Sequence, residues 1–343
     1  MTFHIGPIAV ETKVFLAPMS GISDLPFRQA AARQGALYVV SEMVASEELA
    51  GERPDVVLRA ALDETIGLKV IQLAGREAHW MAEGAKIAEA MGADIIDINM
   101  GCPARKVTGL LSGSALMRDL DHAESLIRAT VDATSVPVTL KMRLGWDWQS
   151  LNAPELAMRA EAAGVKMLTV HGRTRCDFYK GTANWKAVAP VVEATSLPLV
   201  VNGDIRSADD ARAAMAQSGA DAVMVGRAAT GRLWLPRALE HALDTGGDVA
   251  LPPFEERGAI ALAHYRATID HYRFGHAQGE EAGLDLGIRM ARKHLAALID
   301  ATPEFERDAA KAAKTILCTV KDPSVVETEL TRLFERCYAK AAA

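Results

Sequence analysis

Short runs of hydrophobic residues recur along the first two thirds of the chain, and each run ends at a polar residue or a glycine. Between most of these runs lie alanine-rich stretches whose apolar positions repeat with a helical period. Strands that alternate with helices indicate βαβ units and a parallel sheet. We therefore predict eight strands, at Val14–Pro18, Leu37–Glu42, Leu68–Leu73, Asp94–Asn99, Pro137–Arg143, Lys166–His171, Leu197–Asn202 and Asp221–Gly226.

The number of strand–helix units indicates how the sheet is closed. Eight units within about 230 residues match the count and length of a (β/α)8 TIM barrel. The alternative is a doubly wound open sheet, which usually has about six strands and a glycine-rich first turn. No G-x-G-x-x-G motif follows the first predicted strand, so the α/β barrel is favoured. Capping-box spacing predicts helix starts at Asp121 with Glu124, Asn152 with Glu155 and Ser207 with Asp210.

The pattern changes near Gly246–Asp248 and Leu251–Pro253, where glycines and prolines indicate a linker. Only helical patterns follow, and Asp322–Pro323 is a suitable start for the last of them. The predicted helices cover about residues 254–276, 283–300, 304–319 and 323–341. We predict a catalytic barrel domain over residues 1–246 and a small all-helical C-terminal domain over residues 250–343.

Composition narrows the class of protein. Half of the 343 residues are hydrophobic and about a quarter are charged, which is typical of a globular protein. The cysteines Cys102, Cys176, Cys318 and Cys337 are widely spaced, which argues against disulfides or a metal site and favours a reducing cytoplasm. We find no signal-peptide pattern and no apolar run near the ~20 residues that span a bilayer. The net charge of −6 means that a nucleic-acid partner would need a local basic patch.

The segment Ile95–Pro103 combines a buried strand with a rigid exit. Asp97 and Asn99 are two residues apart, so they point to the same side of the strand. Gly101 and Pro103 then force a tight turn that holds Cys102 at the carboxyl end of the strand, where chemistry is concentrated in barrels. A single cysteine is more often a packing residue, so Cys102 alone does not establish catalysis.

Polar residues mark most of the other predicted strand ends, and a barrel gathers these ends in one mouth. Lys141 is informative because it lies inside a strand that should be buried, with Arg143 pointing the same way. A buried ammonium group needs a partner, which is either a salt bridge to Asp97 or a bound electron-rich ligand. Two cations and His171 at one mouth favour the ligand.

The loops after the last two strands, Asn202–Asp204 and Gly226–Arg227, lie where barrels often bind phosphate. Glycine lets backbone N–H groups approach phosphate oxygens, and an arginine adds charge. Lys141 could stabilise the negative charge of a reduced flavin ring, and Gln72 could hydrogen-bond to the ring. These features suit flavin mononucleotide, although a sugar-phosphate enzyme could use similar parts.

Taken together, in order and at this spacing, seven motifs resemble those of the tRNA-dihydrouridine synthases, and the chain looks closest to the bacterial B-type branch. The motifs are Ala17–Asp24, Gln72–Gly75, Asn99–Pro103, Lys141–Arg143, His171–Arg175, Asn202–Ile205 and Gly226–Arg227. The resemblance covers the barrel and continues into the C-terminal helices. It implies that FMN, reduced by NADPH, reduces the C5–C6 double bond of a D-loop uridine in tRNA.

The resemblance also implies residue roles. Hydride would pass from flavin N5 to uracil C6, while Cys102 acts as a general acid that protonates C5. Implied FMN contacts are Pro18, Met19, Ser20, Gln72, Lys141, His171, Asn202, Gly203, Asp204, Gly226 and Arg227. Implied substrate contacts in the barrel are Asn99, Arg143, Arg173 and Tyr179. The uridine lies inside the folded tRNA, so it must turn out to reach this pocket.

A cationic group on the second C-terminal helix completes the expectations. Arg289, Arg292 and Lys293 follow i, i+3, i+4 spacing, which is usual for a solvated helix face but which the resemblance assigns to tRNA binding. Family members often continue with an aromatic pair, whereas this chain has Leu295–Leu298. A flavin barrel acting on a free pyrimidine and a non-enzymatic RNA-binding protein remain alternatives. A monomer is the default, and removal of residues 250–343 is expected to preserve flavin reduction by NADPH.

Overall fold

The computed structural model describes residues 3–109 and 111–341, with side chains described from residue 4 to residue 335. The strands are β1 Phe3–Ile5, β2 Ile8–Val10, β3 Val14–Leu16, β4 Val39–Ala45, β5 Lys69–Ala74, β6 Ile95–Met100, β7 Val138–Arg143, β8 Met167–His171, β9 Leu199–Asn202 and β10 Ala222–Val225. Helices up to the linker are α1 Leu25–Arg33, α2 Ser46–Ala50, α3 Pro54–Ala60, α4 Ala78–Ala90, α5 Arg105–Thr108, α6 Leu120–Asp132, α7 Ala153–Ala162, α8 Ala189–Glu193, α9 Ala208–Ser218 and α10 Leu235–Thr245. The C-terminal helices are α11 Phe254–Gly275, α12 Glu280–Asp300, α13 Arg307–Thr319 and α14 Pro323–Ala341.

Strands β3 to β10 form a closed parallel barrel in which β10 pairs with β3. The predicted barrel is therefore confirmed and the open sheet is excluded. The carboxyl ends of the central strands are in register, since Asn99 pairs with Lys141 and Arg143 pairs with His171. All eight predicted strands are present, although β4 extends to Ala45, three residues beyond the predicted end.

The antiparallel hairpin β1–β2 was not predicted, because two three-residue strands are too short to show a period. Its residues Ile5 and Val10 are buried with Val70, Ile95 and other residues from the first halves of the barrel strands. The hairpin therefore closes the amino-terminal end of the barrel. The opposite end, where the polar strand ends meet, remains the mouth.

The helix starts test the capping predictions. Ser207 and Asp210 form the predicted capping box at the start of α9. The prediction at Asp121 is wrong, because Asp119 is the N-cap of α6 and accepts a hydrogen bond from the backbone N–H of His122. Asn152 is the N-cap of α7, but its side chain donates to the carbonyl of Met117 instead of capping the helix.

The C-terminal helices α11–α14 share a hydrophobic core with the end of the barrel. Trp234, which precedes α10, is buried in that core. Phe27 of α1 is fully buried, and its ring stacks on His294 of α12 with centroids 5.3 Å apart. Gly231 permits close approach, because a Cβ there would lie 2.4 Å from the carbonyl carbon of Ala297. Among the described residues, no helix is both long and apolar enough to cross a membrane.

Candidate active site

One cavity of about 660 Å³ opens at the carboxyl ends of the barrel strands. It is lined by every barrel residue that the sequence predicted for cofactor, substrate or catalysis: Pro18, Met19, Ser20, Gln72, Asn99, Cys102, Lys141, Arg143, His171, Arg173, Tyr179, Asn202, Gly203, Asp204, Gly226 and Arg227. Parallel strands place their carboxyl ends at one mouth, so residues more than 200 positions apart in the sequence meet here.

A chain of side-chain hydrogen bonds fixes the wall beneath Cys102. The amide of Gln72 donates to Asp97 at 2.6 Å, and Asn99 donates to the Gln72 side-chain oxygen at 2.7 Å. The side-chain oxygen of Asn99 then accepts from the backbone N–H of Gly101 and from that of Cys102, at 3.2 and 3.0 Å. The side-chain amides of Gln72 and Asn99 thus both form hydrogen bonds within the protein. Asn99 positions the loop that carries Cys102, and its predicted contact with substrate stays a prediction.

The Cys102 thiol is held in a protonated form. The carbonyl of Cys102 accepts hydrogen bonds from the hydroxyl and the backbone N–H of Ser114, at 2.8 and 3.1 Å. Burial raises the pKa of the thiol above its ordinary value, against the opposing effects of a backbone hydrogen bond, Arg143 and Lys141. At neutral pH the group therefore carries a proton that it can donate. Ser114 had no sequence signal, because it lies twelve residues downstream on a separate turn.

Lys141 is buried without the salt bridge that was the alternative to a ligand. Its ammonium group donates to the side-chain oxygen of Asn202 at 3.2 Å, and no ion pair joins it to Asp97 among the described side chains. Asp97 instead accepts from Gln72 and Thr139. Burial, reinforced by Arg143, lowers the pKa of Lys141 to about 8. Near pH 7 the lysine is a cation with an incomplete set of acceptors.

This pKa makes a prediction for the flavin-free protein. Lys141 is protonated in both folded and unfolded chains below pH 8, and only the folded chain releases the proton between about 8 and 10.5. The free energy of unfolding should therefore rise by about 3 kcal/mol across that window, because the pKa of Lys141 is 10.5 in the unfolded chain and about 8 in the folded one. We expect thermal melts of Lys141→Met to lack this rise relative to the original protein. If the melting temperatures of both proteins changed with pH in the same way, the burial of a charged lysine would be contradicted.

Arg143 and Tyr179 lie next to each other at the mouth of the cavity. The Arg143 guanidinium is buried and donates to the carbonyls of Gly101, Thr174 and Phe178, at 2.7, 2.8 and 2.8 Å. It thereby ties the Cys102 loop to the loop after β8. The Tyr179 ring is 53% exposed and lies between the guanidiniums of Arg143 and Arg227, at 5.4 and 5.2 Å. An exposed ring flanked by cations is a suitable stacking platform for a base.

Arg173 was predicted to contact substrate, but its guanidinium is committed to Asp204 at 2.6 Å and to the carbonyls of Lys180 and Gly181. It also lies 3.3 Å from Nε2 of His171, whose pKa burial and neighbouring cations hold well below its ordinary value. The imidazole is therefore neutral and can accept this hydrogen bond. These contacts indicate that Arg173 fixes the shape of the cavity.

The loops after β9 and β10 form a cationic corner. Gly203 has a φ of +120°, and a Cβ there would lie 2.7 Å from Ala183 and 2.9 Å from the His171 ring. Arg206 and Arg232 line this corner with Arg227 and were missed in the sequence. The only available signal was their place shortly after the predicted strand ends. The corner is suited to an anion held by a glycine backbone and several guanidiniums.

The three cations predicted on α12 lie outside this cavity, and two of them donate to backbone carbonyls of other elements. Arg292 donates to the carbonyls of Thr319 and Val320, at 2.9 and 3.4 Å, and so caps the end of α13. Lys293 donates to the carbonyl of Gly21 in the barrel, at 2.5 Å. Arg289 is exposed and forms no ion pair or hydrogen bond with the described residues. The spacing correctly placed these residues on one helix, but Arg292 and Lys293 donate to carbonyls of different elements, at Thr319 and at Gly21.

The fold and the cavity define an α/β barrel with a cofactor-sized cavity beside a protonated thiol. A family model described as dihydrouridine synthase matches residues 15–331. The chain therefore belongs to the dihydrouridine synthase family, whose members are flavin-dependent oxidoreductases.

Curated relatives agree with this assignment. The chain is 54% identical over 296 residues to a probable tRNA-dihydrouridine synthase of Rhodobacter capsulatus, covering 86% of this chain and 88% of that protein. It is 49% identical to a similarly named protein of Rhizobium leguminosarum bv. phaseoli, over 94% and 95% of the two chains. It is 42% identical to tRNA-dihydrouridine synthase B of Pseudomonas aeruginosa, over 85% of each.

Solved structures support the fold. Morphinone reductase in complex with tetrahydroNAD superposes with a TM-score of 0.51 at 14% identity, covering 74% of this chain and 92% of that one. Histamine dehydrogenase from Rhizobium sp. 4-9 gives 0.55 at 14% identity, covering 77% and 50%. At this level of identity the likeness establishes the barrel fold alone.

Proposed function

We propose that this chain is a cytoplasmic tRNA-dihydrouridine synthase that uses FMN and NADPH to reduce the C5–C6 double bond of a D-loop uridine. The observation that carries the proposal is the position of the protonated Cys102 thiol in the same cavity as Lys141 and the cationic corner. Family membership supplies the reaction class. The names of the relatives support tRNA as the substrate.

The cavity residues fit an FMN molecule. A volume of about 660 Å³ lies within the range of cofactor pockets. The Oδ1 atom of Asp204 is buried and has no hydrogen-bond partner, so it can accept from a ligand hydroxyl or ring N–H. Arg206, Arg227 and Arg232 can hold a phosphate, and Lys141 can face the electron-rich side of a flavin ring.

The proposed chemistry adds one hydride and one proton across the double bond. A reduced flavin held by Lys141 and the cationic corner would supply the hydride chemistry at C6. Cys102 gives its proton to C5, and the thiolate that remains lies near the cations Arg143 and Lys141, both of which favour the charged form. Solvent then returns the proton. The raised pKa keeps the thiol protonated before the reaction. The neighbouring cations then lower the free energy of forming the thiolate.

Substrate would enter through the exposed rim. We propose that Tyr179 stacks on the flipped uridine or its neighbour, while Arg143, which is fixed by three carbonyls, borders the pocket that receives the base. Arg289, the exposed and unpaired cation on α12, is the residue of that helix best placed to contact phosphate.

The direct test maps dihydrouridine in tRNA. Mass spectrometry of tRNA should show loss of dihydrouridine at one D-loop position when the gene is deleted, and its return on complementation. Purified protein should carry FMN, visible as yellow absorbance. Unchanged dihydrouridine in the deletion strain, with no other synthase acting at that position, would refute the assignment.

A further inference from the structure

The segment Pro18–Gly21 is a thin wall between two cavities. Pro18, Met19 and Ser20 line the active-site cavity. Ser20 and Gly21 also line a second cavity of about 590 Å³, which lies between the barrel and α11–α12 and includes Glu42, Tyr272 and Met290. Met19 packs on the barrel core, whereas Ser20 and Gly21 border open space, so the conformation of these two residues depends more on the hydrogen bonds they make.

Part of that support is local. The hydroxyl of Ser23 accepts from the backbone N–H of Met19 at 2.8 Å, and the carbonyl of Met19 accepts from the N–H groups of Ile22 and Ser23, each at 2.9 Å. These bonds form a turn, but they leave the peptide groups of Gly21 to be satisfied from elsewhere.

The two peptide groups of Gly21 are held from opposite directions. Its carbonyl accepts from the Lys293 ammonium at 2.5 Å, and its N–H donates to the Glu42 carboxylate. Glu42 is only 5% exposed, and Lys293 is among the cations that counter the effect of burial on its pKa. Lys293 of α12 and Glu42 thus form charge-assisted hydrogen bonds with the two polar backbone groups of Gly21.

Two further contacts anchor α11 and α12 at the same place. The Tyr272 hydroxyl donates to Asp24 at 3.0 Å, and Asp24 caps α1 directly after this segment. His294, next to Lys293 in sequence, stacks on Phe27 of α1. The helix that carries Lys293 is therefore fixed against the barrel, and the reach of the lysine to Gly21 follows from this docking.

We infer that Lys293 is a positioning residue that holds Pro18–Gly21 in its flavin-binding conformation and is not primarily a tRNA ligand. This inference rests on the proposed function for the presence of FMN. It separates Lys293 from Arg289, which lies one turn earlier on α12 and forms no contact within the described residues. It also links the helix that faces tRNA to the wall of the flavin cavity.

The test uses four substitutions at three positions of one helix in the full-length protein. Lys293→Met should weaken FMN binding about three- to tenfold, as expected for loss of one partly exposed charge-assisted hydrogen bond, with tRNA affinity changed less than about twofold. Arg289→Met should do the reverse. Arg292→Met removes only the α13 cap, so it should lower the melting temperature without changing FMN affinity. Lys293→Arg should restore much of the FMN affinity.

The measurements are FMN titration of flavin-free protein by fluorescence quenching, tRNA binding by filter retention, and thermal melts. Glu42→Gln supplies a second route if Lys293→Met folds poorly, since it alters the other side of Gly21 without touching α12. It should also weaken FMN binding. If Lys293→Met weakens tRNA binding as Arg289→Met does and leaves FMN affinity unchanged, the inference is overturned. A wild-type protein that binds no FMN would instead defeat the proposed function itself.

Discussion

The Cys102→Ala protein is expected to purify with its flavin and to form almost no dihydrouridine on tRNA. The thiol is buried, and its pKa is raised by that burial, so it is a protonated acid in a cavity whose other ionisable side chains include cations, neutral His171 and the Asp204 carboxylate, which pairs with Arg173. Loss of a positioned general acid typically costs about 10²- to 10⁴-fold in rate. The hydrogen bonds of Cys102 with Asn99 and Ser114 run through its backbone, so alanine keeps them and loses only the contact of the thiol with the backbone N–H of Ala104.

Single-turnover assays with pre-reduced enzyme would measure this effect directly, because they separate proton donation from flavin reduction. Cys176→Ala is the matched control, since that thiol is free and exposed. Cys102→Ser keeps a similar volume with a much weaker acid, and we expect it to be nearly as impaired as alanine. Turnover within about threefold of the original protein would remove Cys102 from the mechanism.

Removing residues 250–343 is expected to cost the barrel its flavin as well as its activity on tRNA. The sequence suggested that flavin reduction would survive, but truncation removes the core that covers Trp234, which is 5% exposed in the intact protein, and takes the rings of His264 and His294 away from Phe27. Uncovering one large side chain and part of a second costs about 2–4 kcal/mol, a large part of the stability of a typical domain. The contacts at Asp24 and Gly21 are lost at the same time.

Thermal melts and FMN titration of the truncated chain test this expectation. A protease site placed in the segment between α10 and α11 gives a matched control, because the cut chain keeps every contact of the junction and should retain its flavin. A truncated barrel that binds FMN as tightly as the full chain would show that the junction is dispensable.

The hydrophobic pattern predicted the barrel because each strand is a continuous apolar run and each helix has a regular period. The same logic placed Gln72, Asn99, Cys102 and Lys141 at one mouth, since parallel strands end on one side. The strands β1 and β2 have three residues each, which is too short for a hydrophobic period to be recognised. The capping-box spacing of Asp121 with Glu124 selected the wrong residue, because the chain enters α6 two residues earlier, at Asp119.

Side-chain partners were the part that the sequence left open. Gln72 was assigned to the flavin ring for its amide, and Asn99 to substrate by the resemblance. Register also brings these two amides against each other and Gln72 against Asp97. Arg173 similarly finds Asp204, thirty-one residues later. Arg292 and Lys293 donate to the carbonyls of Thr319 and Gly21. These acceptors are far from α12 in the sequence, so no local pattern could predict the contacts.

The hairpin that closes the amino-terminal end of the barrel has a practical consequence for single-molecule and surface-based measurements. Because β1 lies at the end of the barrel remote from the mouth, a tether attached ahead of β1 leaves the chain with its mouth facing away from the support. A sensor chip or bead prepared in this way would present Tyr179 and the cationic corner to tRNA in solution. Attachment through a thiol would be less suitable, since Cys176 is exposed on the loop that follows β8.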